Sequence, residues 1–284
     1  MHEILHILEH TAIETLRLLP FLFITYLVME YIEHRTSNKV KQTIQKSGKF
    51  GPLLGAVVGI FPQCGFSVSA TNLYSARVIT LGTLISVYLA TSDEMLPILL
   101  TEAVPVSTIF TILGIKLLIG IIAGFVIDAV IRLTKRQKTE EQKIEEICEH
   151  DHCHCEDGII SSALKHTINI IIFIFIITLV INGIITLIGE ETIVNFISKN
   201  IVLGPIIAGL IGLIPNCASS VILTELFIEN VISIPMLISG VAVNAGLGLV
   251  VLFKTNKKLK ENLRIVSLLY AIGVLSGIIL QVIS

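Results

Sequence analysis

Charge is what this sequence has least of. Only 15% of its 284 residues are Asp, Glu, Lys or Arg, against roughly 25% in a soluble domain. Hydrophobic residues make up 53%. That balance excludes a soluble globular protein and a nucleic-acid-binding module. Cysteine is sparse too, and five scattered residues make no disulfide framework. The opening MHEILHILEH has no basic n-region and no cleavage site, so it is not expected to be a signal peptide. No GxxxxGK(S/T) stretch occurs, so no P-loop use of ATP is expected. No nucleophile–base–orienter set is visible, which argues against an enzyme, and no tightly bound cofactor is expected.

What the chain has instead is long apolar runs. Leu18 to Met29 with its flanks, Thr108 to Ile127, Thr167 to Ile188 and Ile265 to Ile283 stand out. A helix needs about 20 such residues to cross a bilayer core. The expected fold is all-α and polytopic, with the lipid bilayer as its solvent.

The basic residues are segregated. Arg35, Lys39, Lys41, Lys46 and Lys49 share one loop. Arg132, Lys135, Arg136, Lys138 and Lys143 share a second; Lys254, Lys257, Lys258, Lys260 and Arg264 share a third. Short Lys/Arg-rich loops stay in the cytoplasm, so these three are expected inside. The connections near 93–102 and 190–200 are poor in basic residues and are expected outside. A first span at about 11–31 then puts the N-terminus outside. Residues 50–100 must cross an odd number of times, as three short crossings or as one crossing plus a re-entrant hairpin.

The chain also repeats itself at a shift of 153 residues. GPLLGAVVGIFPQCGFSVSATNL (51–73) lies on GPIIAGLIGLIPNCASSVILTEL (204–226), and 51–100 matches 204–253 at 16 positions. Gly120 and Gly124 fall on Gly273 and Gly277, and FLFITYLV (21–28) resembles FIFIITLV (173–180). The organisation read from this is a first membrane repeat over 1–133, a charged linker over 134–158 and a second membrane repeat over 159–284. With the parity above, the two five-element repeats are inverted, for about ten transmembrane segments with both termini outside. Inverted repeats with broken helices near the midplane are transporter architecture.

The candidate site follows from the paired breaks at Pro62 and Pro215. Proline removes an amide donor, and freed backbone groups are tolerated at membrane depth only against protein or a water-filled cavity. Both prolines are therefore expected to line an internal cavity. Gln63, Cys64, Ser67 and Asn72 surround one break; Asn216, Cys217, Ser220 and Glu225 surround the other. Thiolates bind soft metals, and amide and hydroxyl oxygens complete a shell. Asp93 and Glu94 lie at the end of an apolar run, where an acid marks an ion or proton pathway. Lys116 and Asp128 share a helix 12 residues apart, too far to pair, and are not taken as sites. The linker segment CEHDHCHCEDG offers His150, His152, Cys153, His154 and Cys155 as a flexible metal-collecting loop.

Three stretches carry a resemblance. LLPFLFITYLVMEYIEH, FPQCGFSVSATNLYSARVITLGTLISVYLATSDEMLPIL and IPNCASSVILTELFIENVISI resemble the ten-transmembrane heavy-metal exporter family. Its members carry the labels arsenic-efflux permease and manganese transporter. The resemblance implies ten spans, the plasma (inner) membrane of a prokaryote, and export of a toxic metal or metalloid. Cys64 and Cys217 with Gln63 and Asn216 would then form the midplane metal site. Asp93 and Glu94 would couple the ion to protons or pass it to the exit. Two thiols favour arsenic or zinc; carboxylates and amides suit manganese. The competing reading is a membrane thiol–disulfide electron conduit, in which Cys64 and Cys217 form and break a disulfide.

Overall fold

A computed structural model describes residues 8, 11–13, 15–16, 19–20, 22–24, 26–27, 50–62, 64–92, 94–134, 159–188 and 203–283. All eleven of the elements in the described residues after residue 50 are helices. They are α1 (Gly51–Gly59), α2 (Cys64–Ser75), α3 (Leu81–Ala90), α4 (Met95–Thr101), α5 (Val106–Thr134), α6 (Ile159–Ile188), α7 (Gly204–Gly212), α8 (Cys217–Ile228), α9 (Ile234–Val243), α10 (Leu247–Thr255) and α11 (Leu259–Ile283). Among the described residues, five stretches are long and apolar enough to cross a membrane: Leu81–Thr101, Val106–Thr134, Ala163–Val180, Ile234–Thr255 and Leu259–Ile283. The linker at 134–158, apart from Thr134, lies outside the described residues.

Local chemistry sets the helix starts. Pro52 and Pro205 stand in the first turns of α1 and α7, where a missing amide donor costs nothing. Thr80 caps α3, its hydroxyl accepting from the Thr83 amide at 3.1 Å. Asn216 caps α8 by accepting from the Ala218 amide at 3.3 Å. Each satisfies one of the unpaired amides of a helix start.

Glycines fix how the helices lie. A Cβ on Gly59 would stand 2.6 Å from the Val87 carbonyl and 3.0 Å from Ala90, while Gly51 faces Thr83. So α1 runs parallel to α3 with almost no gap. Thr71 on α2 meets Tyr88 on α3, and the chain turns at Arg77, φ 59°, before α3 begins. So α2 runs antiparallel to α3, and α1 and α2 form a hairpin with its tip at residues 61–62. At 9 and 12 residues, the two arms reach about 14 and 18 Å, short of the roughly 30 Å core. Within residues 50–100 the stretch long and apolar enough to cross begins at Leu81.

The second half repeats these details. The hydroxyl of Ser86 donates to the Pro52 carbonyl at 2.5 Å, and that of Ser239 to the Pro205 carbonyl at 2.6 Å. Gly124 faces Pro52 and Ser86; Gly277 faces Pro205 and Ser239. Arg77 has φ 59° and Asn230 φ 60°. Each of these pairs is 153 residues apart.

Candidate functional site

Two apolar spans are interrupted, each by a few residues. Between α3 and α4 lie residues 91–94; between α9 and α10 lie residues 244–246. The broken ends meet. The buried Lys116 on α5 donates from Nζ to the carbonyl of Thr91, which ends α3. It also donates to the carbonyl of Val241, in the last turn of α9, at 2.9 Å. Both acceptors come from helix ends, where carbonyls have no partner within their own helix.

The first hairpin reaches the other half's interruption. The hydroxyls of Thr71 and Tyr88 lie 2.5 Å apart and reach the Gly248 carbonyl at 3.1 and 3.2 Å. Gly248 is in the first turn of α10, and a Cβ there would stand 3.0 Å from the Tyr88 ring and 3.1 Å from Ser67. Gly246, at φ 53°, takes a conformation that side chains disfavour. Its amide donates to Asn244 Oδ1 at 2.8 Å. Correspondingly, Ile222, Leu223 and Leu226 of α8 share a core with Met95 and Leu99 of α4. Each hairpin thus lies against the second half of the opposite broken span.

The sequence-derived site residues fall unevenly. Ser67, Asn216, Cys217 and Ser220 are buried at 0–4% exposure. Thr71 donates to the Ser67 carbonyl at 2.7 Å and Thr224 to the Ser220 carbonyl at 2.6 Å. Glu94 is half-buried at the start of α4. Glu225 is exposed. Cys64 opens α2, but its side chain lies outside the described residues, as do Gln63, Asp93, His150, His152, Cys153, His154 and Cys155. The prolines differ from expectation: Pro215 is half-buried, whereas Pro62 is exposed beside Phe61, itself 57% exposed. The first hairpin's tip therefore stands at the surface of the bundle, because its contacts with α3 and α10 are made by residues further along its arms.

Asn72 is the unusual member. It is 1% exposed, and neither its Oδ1 nor its Nδ2 has a hydrogen-bond partner among the described residues. It sits on α2 four residues from both Val68 and Ala76, which belong to an apolar cluster with Leu247, Val250 and Val251 of α10. Asn244 Nδ2 is likewise unpartnered among the described residues. Buried polar groups in folded proteins are almost always bonded, and these amides are among the exceptions in the described residues. Among the described residues, no group of three or more His, Cys, Asp or Glu could hold a metal ion.

Residue spacing did not point to Lys116, Thr91 or Tyr88. The available signal for Lys116 was a lone lysine inside an apolar run. Outside the membrane-facing centre, Arg77 binds Glu261 through two nitrogens at 2.7 and 3.0 Å and ties the turn after α2 to the start of α11. The hydrogen bond to Glu261 comes first in holding the guanidinium's pKa above its usual range.

No curated protein and no solved structure matches the chain. Residues 16–189 match a family described as "Putative, 10TM heavy-metal exporter". A ten-span family fits the all-helical architecture and its apolar stretches, and the chain belongs to that family of membrane exporters.

Proposed function

We propose that this chain is a secondary transporter that moves a heavy-metal or metalloid ion out of a prokaryotic cell, through the centre of two inverted repeats in the plasma membrane. Family membership makes a metal ion its substrate. The observation that carries the finer reading is the meeting of two interrupted spans at Lys116, with the Asn244 amide in one of the breaks and the Asn72 amide on α2 both buried and incompletely partnered among the described residues.

Chain direction supports inversion. Thr71 meets Gly248, and Ser75 meets Thr255 at 2.7 Å, so α2 and α10 run in the same sense. Since α2 opposes α3, α10 opposes α3 as well. Equivalent broken spans in the two halves then point in opposite directions across the bilayer, as alternating access about a midplane site requires.

In this reading Cys64, Cys217, Gln63 and Asn216 bind the ion, with Ser67, Asn72, Ser220 and Glu225 around them. Asp93 and Glu94 couple it to protons or lead it out. The loop containing His150, His152, Cys153, His154 and Cys155 gathers it on the cytoplasmic side. The protein performs no covalent chemistry and keeps no resident cofactor. The test is a metal panel in a sensitive host, with cell metal content measured for wild type, Cys64→Ser and Cys217→Ser. Wild type lowers the content of at least one ion, and each serine variant loses that effect. A wild type that lowers none refutes export; serine variants that export normally refute the thiol site alone.

A further inference from the structure

Lys116 is 0% exposed in the middle of a membrane span. A buried ammonium is tolerated only when paired and hydrogen-bonded. Two of its bonds go to backbone carbonyls at the C-terminal ends of different interrupted helices: Thr91 after α3 and Val241 in α9. A helix C-terminus carries roughly half an elementary negative charge. Two ends brought to one point present about one elementary negative charge to the ammonium. Unwound carbonyls and helix C-termini of this kind coordinate alkali cations in membrane transporters. Here the charge arrives on a side chain tethered to a third helix.

We propose that Lys116 is the built-in cation of the crossing. Its ammonium fills an alkali-cation pole formed by the C-terminal ends of α3 and α9, and so keeps Na+ and K+ out of it. Two consequences follow. The wild-type crossing needs no alkali ion to hold its broken ends together. Shortening the side chain exposes a site whose natural ligand is a dehydrated monovalent cation. This is independent of which metal the protein exports, and of whether it exports at all.

The experiment is thermal melting of the purified full-length protein in detergent, in NaCl, KCl or choline chloride at equal ionic strength. Wild type is expected to melt at the same temperature in all three. Lys116→Ala melts lower than wild type in choline, and Na+ or K+ raises its melting temperature saturably, by at least about 3 °C, as a ligand bound only by the folded state does. Lys116→Arg, which keeps the charge, behaves as wild type towards the three salts. Selective stabilisation of wild type by Na+ or K+ overturns the proposal. So does a folded Lys116→Ala protein that does not distinguish the salts, and so does an alanine variant that folds in none of them, because sodium or potassium should restore it. Loss of metal export in the cell panel with these melting results intact would overturn the transport reading and leave this one standing.

Discussion

Replacing Asn72 by leucine is expected to make the protein more stable and less able to export. The two side chains are nearly the same size, so no cavity or overlap is created. In the native fold both polar atoms of Asn72 are buried without partners among the described residues. Each buried polar group left without a bond costs roughly 1–3 kcal/mol. Some of that cost falls on the unfolded chain as well, because it also sits in a membrane. A gain of about 2 kcal/mol is therefore expected for Asn72→Leu, and at about 2–4 °C per kcal/mol the melting temperature should rise by roughly 4–8 °C. Asn262 provides the opposite case. It is also 1% exposed, but its Nδ2 donates to the Asn256 carbonyl at 2.7 Å and its Oδ1 accepts from Asn256 Nδ2 at 2.7 Å. Asn262→Leu orphans those partners and should cost about 1–3 kcal/mol. Melting of the purified variants and cell metal content measured side by side make the assay. If Asn72→Leu melts below wild type, or exports as well as wild type, the amide is a structural group and its assignment to the ion's path is wrong.

Other outcomes follow from packing and pairing. Gly124→Ala should destabilise by roughly 1–3 kcal/mol, since its Cβ would stand 2.7 Å from both the Gly82 carbonyl and Pro52. Gly114, ten residues earlier on α5, has nothing within 4 Å of an added Cβ, so Gly114→Ala should stabilise by up to about 1 kcal/mol; equal melting shifts would contradict the helix contacts described. A double-mutant cycle on Arg77→Met and Glu261→Gln should give a coupling of about 1–2 kcal/mol. That lies between exposed and buried pairs, because the two side chains are 12% and 23% exposed. A coupling near zero would mean that this bidentate pair does not hold the two halves together.

The sequence by itself determined that the chain lives in a membrane, because apolar length sets what can span one. It also located the hairpin breaks, because Pro62 and Pro215 cannot continue a helix, and the 153-residue shift pairs one with the other. The breaks at 91–94 and 244–246 were not legible in this way. Thr91 and Ser92 carry no strong helix-breaking signal, and Gly246 alone among residues 244–246 suggests one. Only the tertiary structure brought the ends of α3 and α9 to Lys116, whose two carbonyl partners lie 25 and 125 residues away. The same holds for Thr71, which meets a carbonyl 177 residues distant, and for Asn72, whose buried amide no other described residue bonds. A span is a property of one stretch of chain, written in its own residues. A polar centre is a property of several stretches at once, fixed by how close their glycines let the helices come.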